Sequence, residues 1–155
     1  MVMEKYEDSI NQKEDIHLYT SRMLAVQSIY SFNLLGDIKS PSQISLDYIS
    51  YYTSNYLMQN LNQSFYLNLF KHTYENIALI DGEIQKRLQE SWKLHRLSKI
   101  ILAILRVGVS ELFLKHEKNI AIIINDYLQI SKSLGHTDET GFVNGILDSV
   151  AKEIS

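Results

Sequence analysis

The sequence of 155 residues predicts an all-α protein. Nearly every segment longer than ten residues repeats its apolar residues at helical spacing, and not in the alternating pattern of a half-buried strand. The chain contains a single proline, Pro41, which lies in the turn-like stretch "GDIKSPS". A chain of this length buries roughly two-thirds of the surface that it exposes when unfolded, so it can form one substantial core.

The first helices are predicted on either side of this turn. One long helix should run over residues 15–35 and end at Gly36, because glycine commonly follows the last turn of a helix. Residues 40–70 hold a single charged residue, Asp47, among many tyrosines, asparagines, glutamines and serines. Two or three marginal helices fit that stretch best.

The strongest helical pattern covers residues 92–116. Apolar residues recur there at helical spacing over many turns, and a second row of apolar residues widens the stripe. Such a wide stripe predicts a central helix that is buried on several sides. The first row is Leu94, Leu97, Ile101, Ile104, Leu105, Gly108 and Leu112, and the second row is Leu102, Val109 and Phe113.

Two more helices complete the predicted order. Asn119 is placed as a helix cap and Gly135 as a helix end, which predicts a helix over residues 119–134. The last helix opens after "HTDE" and covers residues 139–153. We expect the core to lie in these two helices and in the central helix.

The last helix contains two glycines, in "GFVNGILD" at residues 141–148. Each glycine costs roughly 1 kcal/mol relative to alanine in a helix interior. Gly141, Gly145 and Ser149 are spaced by four, so they form a ridge of small residues on one side of a helix. Either a neighbouring helix packs closely on this ridge, or a ligand needs access to the backbone there.

The charges are unevenly distributed along the chain, which has a net charge of −3. Residues 1–16 contain five acidic and two basic residues, whereas residues 86–106 contain six basic residues and one acidic residue. The net charge argues mildly against a general nucleic-acid binder, because phosphates attract proteins mainly through charge. The basic stretch is typical of a solvated helix face, and it could also contact phosphates.

Motifs for catalysis or metal binding are absent from the sequence. The chain has no cysteine, and its five histidines are scattered without the spacing of metal ligands. It contains no phosphate-binding loop with lysine, no H-E-x-x-H and no G-x-S-x-G. We therefore predict a protein that is not an enzyme, with no catalytic residues, metal or cofactor.

The sequence also predicts a soluble, cytoplasmic protein. The first fifteen residues carry charges throughout and have no apolar core of the kind that a secretory signal needs. The longest strongly apolar run, residues 100–105, is far too short to span a bilayer.

Four sequence blocks stand out along the chain, and they are "AVQSIYSF" (25–32), "LIDGEI" (79–84), "LRVGVSEL" (105–112) and "GFVNGILDSVAKEI" (141–154). The last block is the longest and is preceded by "AIIINDYLQISKSLG". Together the blocks resemble the NusB family of bacterial transcription antitermination factors. They occur in the family's order, and the resemblance covers residues 20–154.

The resemblance implies a fold of about seven helices in two packed three-helix-like bundles. These would be residues 15–80 and 81–155 of a single domain, after an acidic, flexible leader at residues 1–15. Proteins of this family pair with the ribosomal protein NusE and bind the single-stranded boxA RNA of ribosomal RNA leaders. The complex joins RNA polymerase and other Nus factors and makes transcription resistant to premature termination.

The resemblance also assigns candidate site residues. An arginine can contact phosphate, and aromatic rings can stack on unpaired bases, so the matched residue types suit single-stranded RNA. The matched RNA-binding positions are Arg22, Tyr30, Lys132, Asp138 and Phe142, and the matched NusE-binding positions are Ile101, Leu102 and Glu111.

The chain departs from the family pattern at several of these sites. The family has several N-terminal arginines where this chain has Arg22 alone, and it has a polar pair where this chain has Ile101 and Leu102. A second hypothesis therefore stays open. It is a helical protein-interaction adaptor that has the same fold but no boxA binding, including a homodimer that hides the RNA surface.

Overall fold

The computed structural model describes the backbone of residues 2–55, 60–114 and 119–155. Side chains are described for residues 14–52, 54, 60–114 and 119–155. Within these ranges the chain forms seven α-helices and no strand, which confirms the predicted all-α fold. None of the described helices is both long and apolar enough to cross a membrane.

The helices follow one another with short connections. Two 3₁₀ turns, Leu94–Arg96 and Thr137–Glu139, precede the fifth and the last helix. The helices are α1 (Val2–Leu35), α2 (Pro41–Asn55), α3 (Gln63–Glu75), α4 (Ile77–Gln85), α5 (Lys99–Phe113), α6 (Ile120–Ser133) and α7 (Thr140–Ile154).

The first helix ends at Leu35 as predicted, but it begins at Val2 instead of residue 15. Residues 2–14 contain no proline or glycine, and their glutamates and lysines favour a helix. Residues 2–14 therefore continue α1, and the flexibility of the leader stays a prediction. The side chains of residues 1–13 lie outside the described part of the chain.

Local capping fixes several helix ends. The Asn119 side chain accepts a hydrogen bond from the Ala121 N–H at 2.8 Å, which confirms the predicted cap of α6. Gly135 follows α6 with a φ of 87°, in the left-handed region that favours glycine. Ser98 caps α5 by accepting the Ile101 N–H at 3.1 Å.

The Ser98 cap also explains why the predicted helix over residues 92–116 starts later. Residues 92–98 belong instead to the connection between α4 and α5, which includes the first 3₁₀ turn. At the other end, α5 stops at Phe113, and residues 115–116 lie outside the described residues.

The core is built around α5. Every residue from Ile101 to Leu112 is buried, and five helices pack against α5, namely α1, α3, α4, α6 and α7. This confirms the predicted central helix that is buried on several sides. Buried residues of α1 and α3 form one cluster with those of α6 and α7. The division into bundles at residues 15–80 and 81–155 stays a prediction.

One glycine is required by this packing. A Cβ added at Gly108 would lie 2.9 Å from Cδ2 of Leu147 and 3.1 Å from its Cδ1. A Cβ at less than 3.0 Å would force the buried Leu147 side chain to shift, so glycine allows α5 and α7 to pack closely here. The close helix crossing therefore lies at Gly108.

Candidate nucleic-acid interface

Arg22, the predicted phosphate contact, lies in the interior with 1% of its surface exposed. Its Nε and Nη2 donate to the two carboxylate oxygens of Glu111 at 2.7 and 2.5 Å, and its Nη1 donates to Asp126 at 2.7 Å. Burial alone lowers the pKa of the guanidinium, but the hydrogen bond and charge of Glu111 raise it above its usual value. Arg22 thus ties α1 to α5 and α6, with its guanidinium bound to these two carboxylates. A contact between Arg22 and RNA stays a prediction.

The three predicted partner-binding residues are also buried. Ile101, Leu102 and Glu111 expose 3%, 7% and 1% of their surfaces, because helices pack around α5 on several sides. Glu111 accepts bonds from Arg22 and, at 2.6 Å, from the hydroxyl of Tyr127. These residues are part of the core, and a direct contact with NusE stays a prediction.

Tyr30 is partly buried and packs against the core. Its ring lines a groove of about 630 Å³ together with three tyrosines of α2, which are Tyr48, Tyr51 and Tyr52. A tyrosine at the edge of a groove can both pack and stack on a ligand. A role for Tyr30 in RNA binding stays a prediction.

The other predicted RNA contacts are exposed. Lys132 lies in the last turn of α6, and Asp138 lies in the 3₁₀ turn before α7. Phe142 lies in the first turn of α7 with 36% of its surface exposed. All three lie on consecutive elements at one end of α6 and α7, which fits a shared surface, and their contacts with RNA stay predictions.

The structure places Trp92 beside Phe142. The two ring centroids are 6.4 Å apart and the rings are tilted by 39°. Trp92 exposes 49% of its surface, so the pair forms an aromatic patch that solvent can reach. Sequence reasoning missed Trp92 because it assigned this residue to the buried central helix.

A groove of about 510 Å³ lies between residues 87–92 and the face of α7 that carries Gly141, Gly145 and Ser149. We call it the α7 groove. No neighbouring atom lies within 4 Å of a Cβ built at either glycine. The hypothesis that a helix packs closely on this ridge is therefore wrong, and the alternative of open access to the backbone fits the structure.

The basic stretch 86–106 divides into paired and unpaired residues. Lys86 and Arg87 pair with Glu83 and Glu153. Arg106 pairs with Asp81 through two hydrogen bonds of 2.8 Å. The remaining three are exposed and form no ion pair with any carboxylate in the described ranges, and they are Lys93, Arg96 and Lys99.

These cations lie in the connection that carries Trp92 or at the start of α5. An exposed aromatic pair, with unpaired cations close to Trp92 in sequence, suits a single-stranded nucleic acid, whose bases stack and whose phosphates need positive charge. The charge of residues 86–106 was a signal for this surface in the sequence. Among the described residues, no cluster of three or more potential metal ligands occurs.

The model of the NusB family matches residues 19–152 of this chain. The chain belongs to the NusB family. A curated relative, the transcription antitermination protein NusB of Nitratiruptor sp., is 43% identical over 97 residues, which cover 63% of this chain and 68% of the relative. The NusB family match includes the α7 groove and all the predicted site residues, and it leaves out the first half of α1.

Solved NusB structures have the same fold. T. maritima NusB superposes with a TM-score of 0.72 at 25% identity, over 87% of this chain and 90% of that one. A crystal structure of the antitermination factors NusB and NusE in complex with double-stranded RNA also matches. Its TM-score is 0.75 at 23% identity, over 88% of this chain and 97% of that one. At this low identity, the second match supports the fold alone.

Proposed function

We propose that this protein is a transcription antitermination factor that binds boxA-type single-stranded RNA of ribosomal RNA leaders together with NusE. The observation that carries the proposal is the exposed ring of Phe142, on the α7 block of a NusB-family chain. The match to the NusB family over residues 19–152 supports the proposal. A NusB protein of the same fold has been crystallised with NusE and double-stranded RNA.

The surface around Phe142 suits this role chemically. Stacking of a base on an aromatic side chain contributes roughly 1–3 kcal/mol and tolerates different bases. Lys93, Arg96 and Lys99 offer the local positive charge that a chain with a net charge of −3 otherwise lacks. Lys132 is also exposed and adds to this charge.

The proposal extends to the assembly that the family forms. The chain acts by binding and not by catalysis, in the cytoplasm, as part of the RNA polymerase elongation complex with other Nus factors. Because no metal or cofactor is part of this role, thorough chelation should leave folding and RNA binding unchanged.

The proposal is tested by titrating a labelled boxA-type RNA with the protein, with and without NusE. Phe142→Ala should weaken RNA binding about 5- to 150-fold, because it removes one stacking ring. Ile122→Ala is the matched control, since Ile122 is an exposed apolar residue on another helix, with 47% of its surface exposed. Thermal unfolding of both variants shows whether the fold survives.

If a folded Phe142→Ala variant binds RNA with unchanged affinity, Phe142 is not an RNA contact. No binding by the wild type, even with NusE present, would favour the adaptor hypothesis instead. One observation favours that second function, namely that Arg22 is buried and bound to two carboxylates.

A further inference from the structure

The α7 groove is an open cavity next to the proposed RNA contact. Phe142 forms part of its wall, so the groove is continuous with the surface on which a base would stack. Its volume of about 510 Å³ lies within the range of small-ligand sites.

The two rings of the groove form one surface. Their centroids are only 6.4 Å apart and the rings are tilted, so no planar group fits between them. A planar group can instead lie against both rings from the groove side. Leu88 and Ile146 add apolar surface to the same cavity.

Where α7 lines the groove at its two glycines, only the helix backbone faces the cavity. Gly141 and Gly145 leave space that any larger side chain would fill. Ser149 lies at the polar end of the groove, and its Oγ accepts a hydrogen bond from Nε of Arg87 at 3.0 Å. The hydroxyl hydrogen of Ser149 can therefore donate to an acceptor at the edge of a bound ring.

The connection that follows Trp92 carries positive charge, which complements a nucleic acid. Lys93 follows Trp92 directly and Arg96 lies in the same connection, and both are exposed. Neither forms an ion pair within the described part of the chain. A phosphate next to a base stacked on Trp92 could pair with these cations of the same connection.

We propose that the α7 groove holds one unpaired nucleobase of the RNA strand, packed against Trp92 and Phe142 over the glycine face of α7. Trp92 is thus a second stacking residue, and Gly141 and Gly145 keep the site open. This inference rests on the proposed RNA-binding function and adds the pocket that takes a base.

The first experiment uses the fluorescence of Trp92, the single tryptophan of the chain. The protein is titrated with boxA-type single-stranded RNA in the presence of NusE. The same mixture with Trp92→Phe is subtracted, so that the remaining signal comes from Trp92. A base stacked on the indole should shift or quench this emission as the complex forms.

The second experiment measures RNA affinity in variants of the groove. Trp92→Ala should weaken RNA binding about 5- to 150-fold, and Trp92→Phe should restore most of it, because the ring face is retained. Gly145→Leu should weaken binding in the same range by filling the groove without changing either ring. Gly82→Leu is the matched control, since Gly82 is another helical glycine with open space, on α4 and outside the groove.

The outcomes separate this inference from the proposed function. If RNA binds normally to folded Trp92→Ala and Gly145→Leu, and Trp92 emission does not change, the groove is not a base site and the proposed function stands. If Gly145→Leu weakens NusE binding in the absence of RNA, the groove belongs to a protein interface and the inference is wrong. If wild type binds no RNA with NusE present, both are wrong.

Discussion

Two regions of the protein each combine a glycine, aromatic rings and cations, one around Glu111 in the interior and one around Trp92 at the surface. In the interior, Arg22 and Tyr127 both donate to Glu111, and Gly108 lies against Leu147. No buried side-chain nitrogen or oxygen in the described residues lacks a hydrogen-bond partner.

The surface region uses the same residue types differently. Trp92 and Phe142 expose their rings, Gly145 faces open space, and Lys93 has no ion-pair partner in the described residues. Groups in the interior are already satisfied within the protein, whereas groups at the surface remain available to a ligand. Substitutions in the interior should therefore change stability, and those at the surface should change binding.

The largest effect is expected for Glu111→Gln. This change leaves Arg22 buried without the negative charge of its main partner and should lower the free energy of unfolding by about 3–5 kcal/mol. Chemical denaturation measures this. Lys39→Ala, which breaks the exposed Lys39–Asp47 pair, is the control and should have a much smaller effect. Equal effects of the two changes would contradict the comparison.

Leu105→Ala should lower the free energy of unfolding by about 2–5 kcal/mol, because Leu105 is fully buried at the centre of α5. Leu79, with 59% of its surface exposed on α4, is the matched control, and Leu79→Ala should change stability by less than about 0.5 kcal/mol. A loss below about 0.5 kcal/mol for Leu105→Ala would place this residue outside the core.

Alanine at two helical glycines should change stability in opposite directions. Gly108→Ala places a Cβ 2.9 Å from Leu147 and should destabilise the protein by about 1–3 kcal/mol. Gly145→Ala meets no atom within 4 Å and should stabilise the protein by roughly 1 kcal/mol, because alanine favours the helix. Thermal unfolding of both variants tests the sign, and a stabilising Gly108→Ala would contradict the close contact of α5 and α7.

Single cations of the connection after Trp92 and of the first residue of α5 should have a smaller effect, on the salt dependence of RNA binding. Lys93→Ala and Lys99→Ala should each flatten the slope of log K against log salt by about 0.7, the value for one phosphate contact on a single strand. Lys71→Ala is the control, since Lys71 is an exposed lysine on α3. Slopes that do not differ from the control would show that these cations only face solvent.

The smallest effect concerns pH and His72, whose Nδ1 lies 2.6 Å from Oγ of Ser110. Burial lowers the pKa of His72 below its usual 6.5, and Glu75 opposes this only in part. Near pH 6.5 the unfolded chain therefore binds more protons, so stability should fall as the pH drops below 6.5 through the lowered pKa. His72→Gln should make that pH dependence weaker in denaturation series, and equal slopes would exclude His72 as its source.

The sequence by itself determined the helical class, the order of the main helices and several of their ends. Apolar periodicity and helix caps depend on residues that are only a few positions apart in sequence. The Asn119 cap, the helix end at Gly135 and the apolar stripe of α5 could therefore be predicted without the structure. The family blocks also pointed to Phe142 as a candidate RNA contact, whereas its exposure comes from the structure.

Only the tertiary structure decided which charges and glycines are buried. Arg22 and Glu111 are 89 residues apart in sequence, so their pairing depends on how α1 and α5 pack. The same packing encloses Gly108 and leaves Gly145 open. Trp92 lies beside Phe142 because the α4–α5 connection passes the start of α7. A helical pattern predicts which face is apolar, but long-range contacts decide what covers that face.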